Sequence, residues 1–123
     1  MVGAPPRYPF ARSQRLLNEA AFDGVYKRRQ RVMDDLFSIN AAPNVLGAAR
    51  LGLSVGAKSV GNSVARNRVK RVVRDSFRHV APEMGALDLV VGARNGARSA
   101  HNAQLRESLE RLWKKIRERC VVS

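Results

Sequence analysis

Apolar positions recur along the chain with two different periods, and elements begin and end where the period changes. Asn18 has the side chain of an N-cap. Leu17, Ala21 and Val25 then fall on one stripe while Phe22 and Tyr26 stand one turn apart, which predicts a helix over 19–29 despite Gly24. Over 31–41 the pattern changes: Leu36, Phe37, Ser38, Ile39 and Asn40 read as a strand. Pro43, Asn44 and Gly47 mark a turn. Leu51, Gly52, Leu53, Ser54 and Val55 alternate again and read as a second strand paired with the first. A Gly/Ser loop is expected over 56–62. The longest helix is predicted over 63–80, stopped by Pro82 and Gly85. Leu87, Asp88, Leu89, Val90 and Val91 form a third strand ended by Gly92. Ser99 or Asn102 is the expected cap of a last helix through about 119, whose apolar stripe is Leu105, Leu109, Leu112, Trp113 and Ile116. The predicted order is α-β-β-α-β-α. An α/β fold of the α+β sandwich kind, with helices packed on a three- or four-stranded sheet, buries all these stripes. Residues 1–17 carry no period and read as a basic N-terminal tail ahead of a single domain over 18–120.

The length of 123 residues fits one core, with about two-thirds of the unfolded surface removed on folding. Hydrophobic residues at 45% and charged residues at 27% are ordinary for a globular domain. The sign of the charge is not. Lys and Arg number 23 against 10 Asp and Glu, a net charge of +13, so an anionic partner is called for. Eighteen of the cations are Arg, whose flat fork suits phosphate and stacks on bases. Membrane surfaces and acidic proteins are anionic too, so charge favours nucleic acid without selecting it. No apolar run approaches the roughly 20 residues that span a bilayer. The single cysteine, Cys120, allows no internal disulfide and fits a reducing cytoplasm. The Arg-rich, acid-free start resembles a transit peptide only loosely, because Pro5, Pro6 and Pro9 interrupt it and no apolar segment follows.

The chemistry concentrates in Arg66-Asn67-Arg68-Val69-Lys70-Arg71-Val72-Val73-Arg74-Asp75-Ser76-Phe77-Arg78, where six of thirteen residues are basic and one is acidic. At about 100° per residue, Val69, Val72, Val73, Phe77 and Val80 gather on the side that must face a sheet. Asn67, Lys70, Arg71, Arg74 and Arg78 gather opposite them within an arc of about 100°. Arg66 flanks this arc, and Arg68 lies to one side near Asp75. A solvated helix face normally mixes signs so that i,i+4 pairs support it. Here only Asp75 offers a partner, to Arg71. Such a stack of like charges destabilises an isolated helix, and RNA or DNA bound along it would offset that cost.

The run Gly61-Asn62-Ser63-Val64-Ala65-Arg66-Asn67-Arg68-Val69-Lys70-Arg71-Val72-Val73-Arg74 resembles the signature of the bacterial ribonuclease P protein component. The resemblance extends over the flanking strands, Arg50-Leu51-Gly52-Leu53-Ser54-Val55 and Leu87-Asp88-Leu89-Val90-Val91, back to Phe22 and Tyr26, and forward through the last helix. It implies an α/β sandwich in which the long helix joins two parallel strands by a left-handed crossover, against the usual hand. The function it implies is 5′-end maturation of tRNA. This chain would bind a catalytic RNA and hold the single-stranded 5′ leader of precursor tRNA, in the cytoplasm. Phosphodiester hydrolysis would be carried out at Mg²⁺ held by the RNA, with no active site in the protein.

The resemblance also assigns roles. Arg66, Asn67, Arg68, Lys70, Arg71 and Arg74 match the motif, the cations for phosphates and Asn67 for backbone geometry or a loop carbonyl; a helix-start cap is the alternative for Asn67. Arg78 extends the same face. Lys58 matches a loop lysine, although Ala57 stands where many relatives carry a second one. Phe22 and Tyr26 lie where the family has aromatics beside a central cleft, where bases stack regardless of identity. An i,i+4 aromatic pair fits a core equally well. Asn40 aligns where several relatives carry an aromatic and is a further cleft candidate, whereas Trp113 fits the core. His79 and His101 are distant from each other and have no evident carboxylate partner, and Asp23, Asp34, Asp35 and Asp88 form no cluster suited to a two-metal site. The competing readings are a ribosomal or other structural RNA-binding protein, a DNA-packing protein and a small autonomous nuclease. No protein partner is evident.

Overall fold

The structure is a computed structural model that describes residues 30–44 and 47–120. The predicted helix over 19–29, with Phe22 and Tyr26, and the proposed tail lie outside the described residues. Four strands, β1 (Gln30–Met33), β2 (Phe37–Pro43), β3 (Arg50–Ser54) and β4 (Leu87–Ala93), form one sheet in the order β1-β2-β4-β3. A single-turn helix α1 (Ala57–Val60), the long α2 (Ser63–Met84), a 3₁₀ turn (Asn95–Arg98) and α3 (Asn102–Cys120) complete the described elements.

The strand predicted over 31–41 is two strands, and Asp34 divides them. Its Oδ1 accepts from the backbone N–H groups of Leu36 (2.8 Å) and Phe37 (3.0 Å), a turn that Asp stabilises and a continuous strand does not. Asp34 N donates to Phe37 O at 2.9 Å, closing the β1–β2 hairpin.

The predicted pairing of the first two strands is not observed. β2 pairs antiparallel with β4, and β3 pairs parallel with β4 on its other side. Burial supplies the reason. The first five residues of β4, Leu87 to Val91, are all buried, so this near-continuous apolar run belongs in the middle of the sheet. β3, with Gly52 and Ser54 on one face, serves as an edge. The parallel β3–β4 pair requires a crossover, and α2 is that connection.

Register puts Val32, Ile39, Val91 and Leu53 in one row across the sheet. This face, with Phe37, Ala41, Leu51 and Leu89, packs against Val69, Val72, Val73 and Phe77 of α2 and the predicted stripe of α3. Trp113 is fully buried, its ring centroid 6.1 Å from that of Phe77, and its Nε1 donates to Ser76 Oγ at 2.8 Å. The apolar phase of both long helices is therefore as the sequence predicts.

Their ends differ. α2 continues through Pro82 to Met84, whose side chain is fully buried, and stops at Gly85 with φ of 67°, a backbone conformation that favours glycine. Neither Ser99 nor Asn102 caps α3. His101 precedes it, and its backbone N–H donates to Gln104 Oε1 at 2.7 Å, one half of a capping box. The loop expected over 56–62 contains α1, which buries Val60 between Gly56 and Gly61.

Candidate nucleic-acid interface

Because Val69, Val72, Val73 and Phe77 fix α2 on the sheet, the side opposite them must face outward. Asn67, Arg71, Arg74 and Arg78 are exposed there and Lys70 is half-buried. Asn62 caps the helix, its Oδ1 accepting from Ala65 N at 2.9 Å. Asn67 is thus not the cap, and its amide has no hydrogen-bond partner among the described residues. The expected Arg71–Asp75 pair does not form; Asp75 pairs with Arg78 instead, one turn on at i,i+3. Lys70, Arg71 and Arg74 make no ion pair among the described residues, so no described acid neutralises their charge.

Arg66 and Arg68 leave this face in opposite directions. Arg66 is half-buried, and its Nε is buried without a hydrogen-bond partner among the described residues. Arg68 turns to α3, where one terminal nitrogen donates to Ala100 O (3.2 Å) and to Asn102 Oδ1 (2.8 Å). It ties the start of α3 to α2. Lys58 is exposed on α1, ahead of the start of α2.

Asn40 is not part of this surface. Phe37, Ile39 and Ala41 point into the core, so Asn40 projects from the other face of the sheet, where it is 6% exposed. Its Oδ1 is buried without a hydrogen-bond partner among the described residues. On the same face Asp88 holds Arg50 through two bonds of 2.8 and 2.7 Å, which raises the already high pKa of that guanidinium.

His79 and His101 are both exposed, and His79 Nδ1 lies 2.8 Å from Asp75 O. Asp34 is engaged in its turn and with Ser108 Oγ. Among the described residues no group of three or more His, Cys, Asp or Glu could hold a metal ion.

One feature escaped the sequence reading: a groove of about 570 Å³ between α2 and α3, continuous with the basic face through Asn67 and Arg71. Asn102 and Arg106 of α3 form its far side, and Val64, 77% exposed, stands at the α2 start. Val64 falls off the apolar stripe when α2 is plotted at 100° per residue, which is the signal that could have marked it.

A family model described as Ribonuclease P matches residues 10–117. The chain belongs to the ribonuclease P protein family. It is 40% identical over 113 residues to the ribonuclease P protein component of Methylococcus capsulatus, covering 92% of this chain and 88% of that one. Among solved structures it is similar to the RNase P protein of Staphylococcus aureus, with TM-score 0.79 and 33% identity over 83% of this chain and 94% of the other. The Thermotoga maritima RNase P protein matches with TM-score 0.69 and 28% identity over 77% and 90% of the two chains. As a ribonuclease P protein the chain is a subunit of an endoribonuclease holoenzyme and acts in tRNA 5′-end processing, alongside an RNA subunit and precursor tRNA. The mixed fold with its four-stranded sheet is that of the family, which favours the ribonuclease P reading over that of a ribosomal or other structural RNA-binding protein.

Proposed function

We propose that the outer face of α2 binds the catalytic RNA of ribonuclease P and that the chain supplies affinity and position while the RNA performs the hydrolysis. The observation that carries this reading is the set Lys70, Arg71 and Arg74, held on a rigid helix with no neutralising acid among the described residues. Arg78, Arg66, Asn67 and Lys58 extend the surface, and Arg68 contributes from the α3 side. Mg²⁺ is placed on the RNA in this reading because the family resemblance implies it. A cytoplasmic setting follows from the partners; no described helix is long and apolar enough to cross a membrane.

The test is reconstitution with a bacterial ribonuclease P RNA at low Mg²⁺, scoring cleavage of precursor tRNA. The chain should stimulate cleavage, and the triple variant Lys70→Ala, Arg71→Ala, Arg74→Ala should lose that stimulation with an unchanged thermal melt. Full stimulation by the triple variant would refute the assignment.

The 5′ leader is assigned to Phe22, Tyr26 and Asn40, on the family resemblance and on Asn40 Oδ1, which has no partner among the described residues. Phe22→Ala with Tyr26→Ala should weaken holoenzyme binding to precursor tRNA by about 1–3 kcal/mol per base contacted and leave mature tRNA unaffected. Equal losses for both tRNAs, or a lowered melting temperature, would return the two aromatics to the core.

A further inference from the structure

The groove between α2 and α3 has a composition that phosphate binding alone does not call for. An electrostatic cradle needs cations, and Arg71 and Arg106 provide them on opposite walls, neither with an intrachain partner among the described residues. Yet the floor is apolar, with Val72 buried, and Val64 offers an exposed methyl surface at the α2 end. Two amides also converge. Asn102 Oδ1 is occupied by Arg68, which leaves its Nδ2 as a donor, and Asn67 is exposed with neither amide function bonded among the described residues. The size, about 570 Å³, is that of a pocket for a small organic group and far too small for a duplex.

We propose that this groove takes a single unstacked nucleotide of RNA, its base against Val64 and Val72 and its phosphate between Arg71 and Arg106. Unpaired bases are what proteins read in RNA, by stacking on flat or apolar side chains and by hydrogen bonds to their edges. Asn67 and Asn102 are placed to supply those bonds. Arg68 acts as a positioning residue: by fastening Asn102 and Ala100 to α2 it sets the width of the groove. Asp75, which also lines the groove and is paired with Arg78, disfavours a phosphate beside it and leaves the Arg71–Arg106 side for that group. The proposal rests on RNA binding by α2 and adds the chemical group that is read there.

The experiment compares two hairpin RNAs that differ at one bulged position, one carrying a base and the other an abasic sugar with the same phosphate. The full chain should bind the base-bearing hairpin about tenfold more tightly. Val64→Ser and Arg106→Gln, both at exposed positions and expected to leave the melt unchanged, should remove most of that difference. Arg74→Ala should weaken both hairpins alike. Equal binding of the two hairpins by the parent chain overturns the groove proposal even when Arg74→Ala weakens both. If Arg74→Ala weakens neither, RNA binding by α2 itself has failed. Repeating Val64→Ser on the catalytic RNA, and on precursor tRNA in the reconstituted holoenzyme, identifies the source: the RNA whose affinity falls carries the nucleotide. No loss with either RNA overturns the proposal.

Discussion

Arg74→Ala tests the electrostatic role of α2 with little disturbance of its packing. Arg74 is exposed on the side opposite Val69, Val72, Val73 and Phe77 and makes no bond among the described residues. Stability should therefore change by no more than about 0.5 kcal/mol, as for an ordinary surface substitution. Binding should respond differently. Lys70, Arg71 and Arg74 are unpaired among the described residues, Arg66 flanks them, and Arg78 must share its charge with Asp75, so the face covers about five phosphates at most. With each phosphate contributing about −0.7 to −0.9, log affinity for the catalytic RNA should fall against log salt with a slope of about −3.5 to −4.5. Between about 50 and 200 mM salt that is a loss of roughly 10²-fold or somewhat more. Arg74→Ala should make the slope shallower by about 0.7 to 0.9. Asp75→Asn should steepen it, since Arg78 is then released. The assay is a salt titration of each variant by filter binding, with a urea melt alongside. A near-zero slope for the parent, or an unchanged slope in Arg74→Ala, refutes this face as the RNA site. Unfolding of Arg74→Ala would instead mean that the helix phase is wrong.

Three further outcomes concern the scaffold. Phe77→Ala, removing a fully buried ring that packs on Trp113, should cost about 3–5 kcal/mol in urea unfolding, in contrast to Arg74→Ala three residues earlier. Gly96→Ala should destabilise by about 1–3 kcal/mol, because the added Cβ would stand 2.5 Å from Asp35 O and 2.9 Å from Leu36 Cδ2. Asp34 gives a pH dependence: burial, the largest single influence, pushes its carboxyl up. The hydrogen bonds from Ser108, Phe37 and Leu36 and the charge of Arg111 together outweigh burial and leave the pKa lowered. A lowered folded pKa means stability that is fully present above the unfolded value, about 3.9, and lost as pH falls through the folded one. Acid unfolding curves of Asp34→Asn should thus be flatter below about pH 4 than those of the parent, and coincident curves would remove Asp34 from that role.

What the sequence revealed and concealed follows from the range of the interactions involved. The phases of α2 and α3 were legible because a helix repeats its environment every turn, so Val69, Val73 and Phe77 announce one buried side by themselves. The split of β1 from β2 was also locally written, in Asp34, but an apolar–polar alternation on both sides masked it. Strand pairing was not local. A turn at Pro43 and Asn44 suggests a hairpin, and nothing near it says that β4, more than 40 residues on, will enter between β2 and β3. The hint was the near-continuous apolar run of β4, broken only by Asp88, which fits a central strand better than an edge. The basic face was legible as a helical arc, whereas the groove needed α3 to be placed beside α2. Arg106 and Asn102 have no meaning as site residues until that packing is known.

Arginine performs two opposite tasks in this fold, and the partner each guanidinium finds separates them. Arg50 is bound to Asp88 across the β3–β4 pair, Arg117 to Glu83 between α3 and the end of α2, and Arg68 to Ala100 and Asn102 at the start of α3. These three tie elements together. All three ties lie on the side of α2 that meets α3 or within the sheet, and none uses the outer face. Arg71 and Arg74, on the same helix and of the same residue type, find no carboxylate or carbonyl among the described residues. Like charges crowded on one face work against the helix that carries them. The helix is held instead from its other sides, by the Asn62 cap, by the Phe77–Trp113 contact and by the Trp113–Ser76 bond. The same ties that offset the repulsion also fix the spacing of the free cations, so a polyanion meets a surface already in place and less of its binding free energy goes to ordering long side chains. A chain whose arginines were all paired could have the same net charge of +13 and bind RNA far less well.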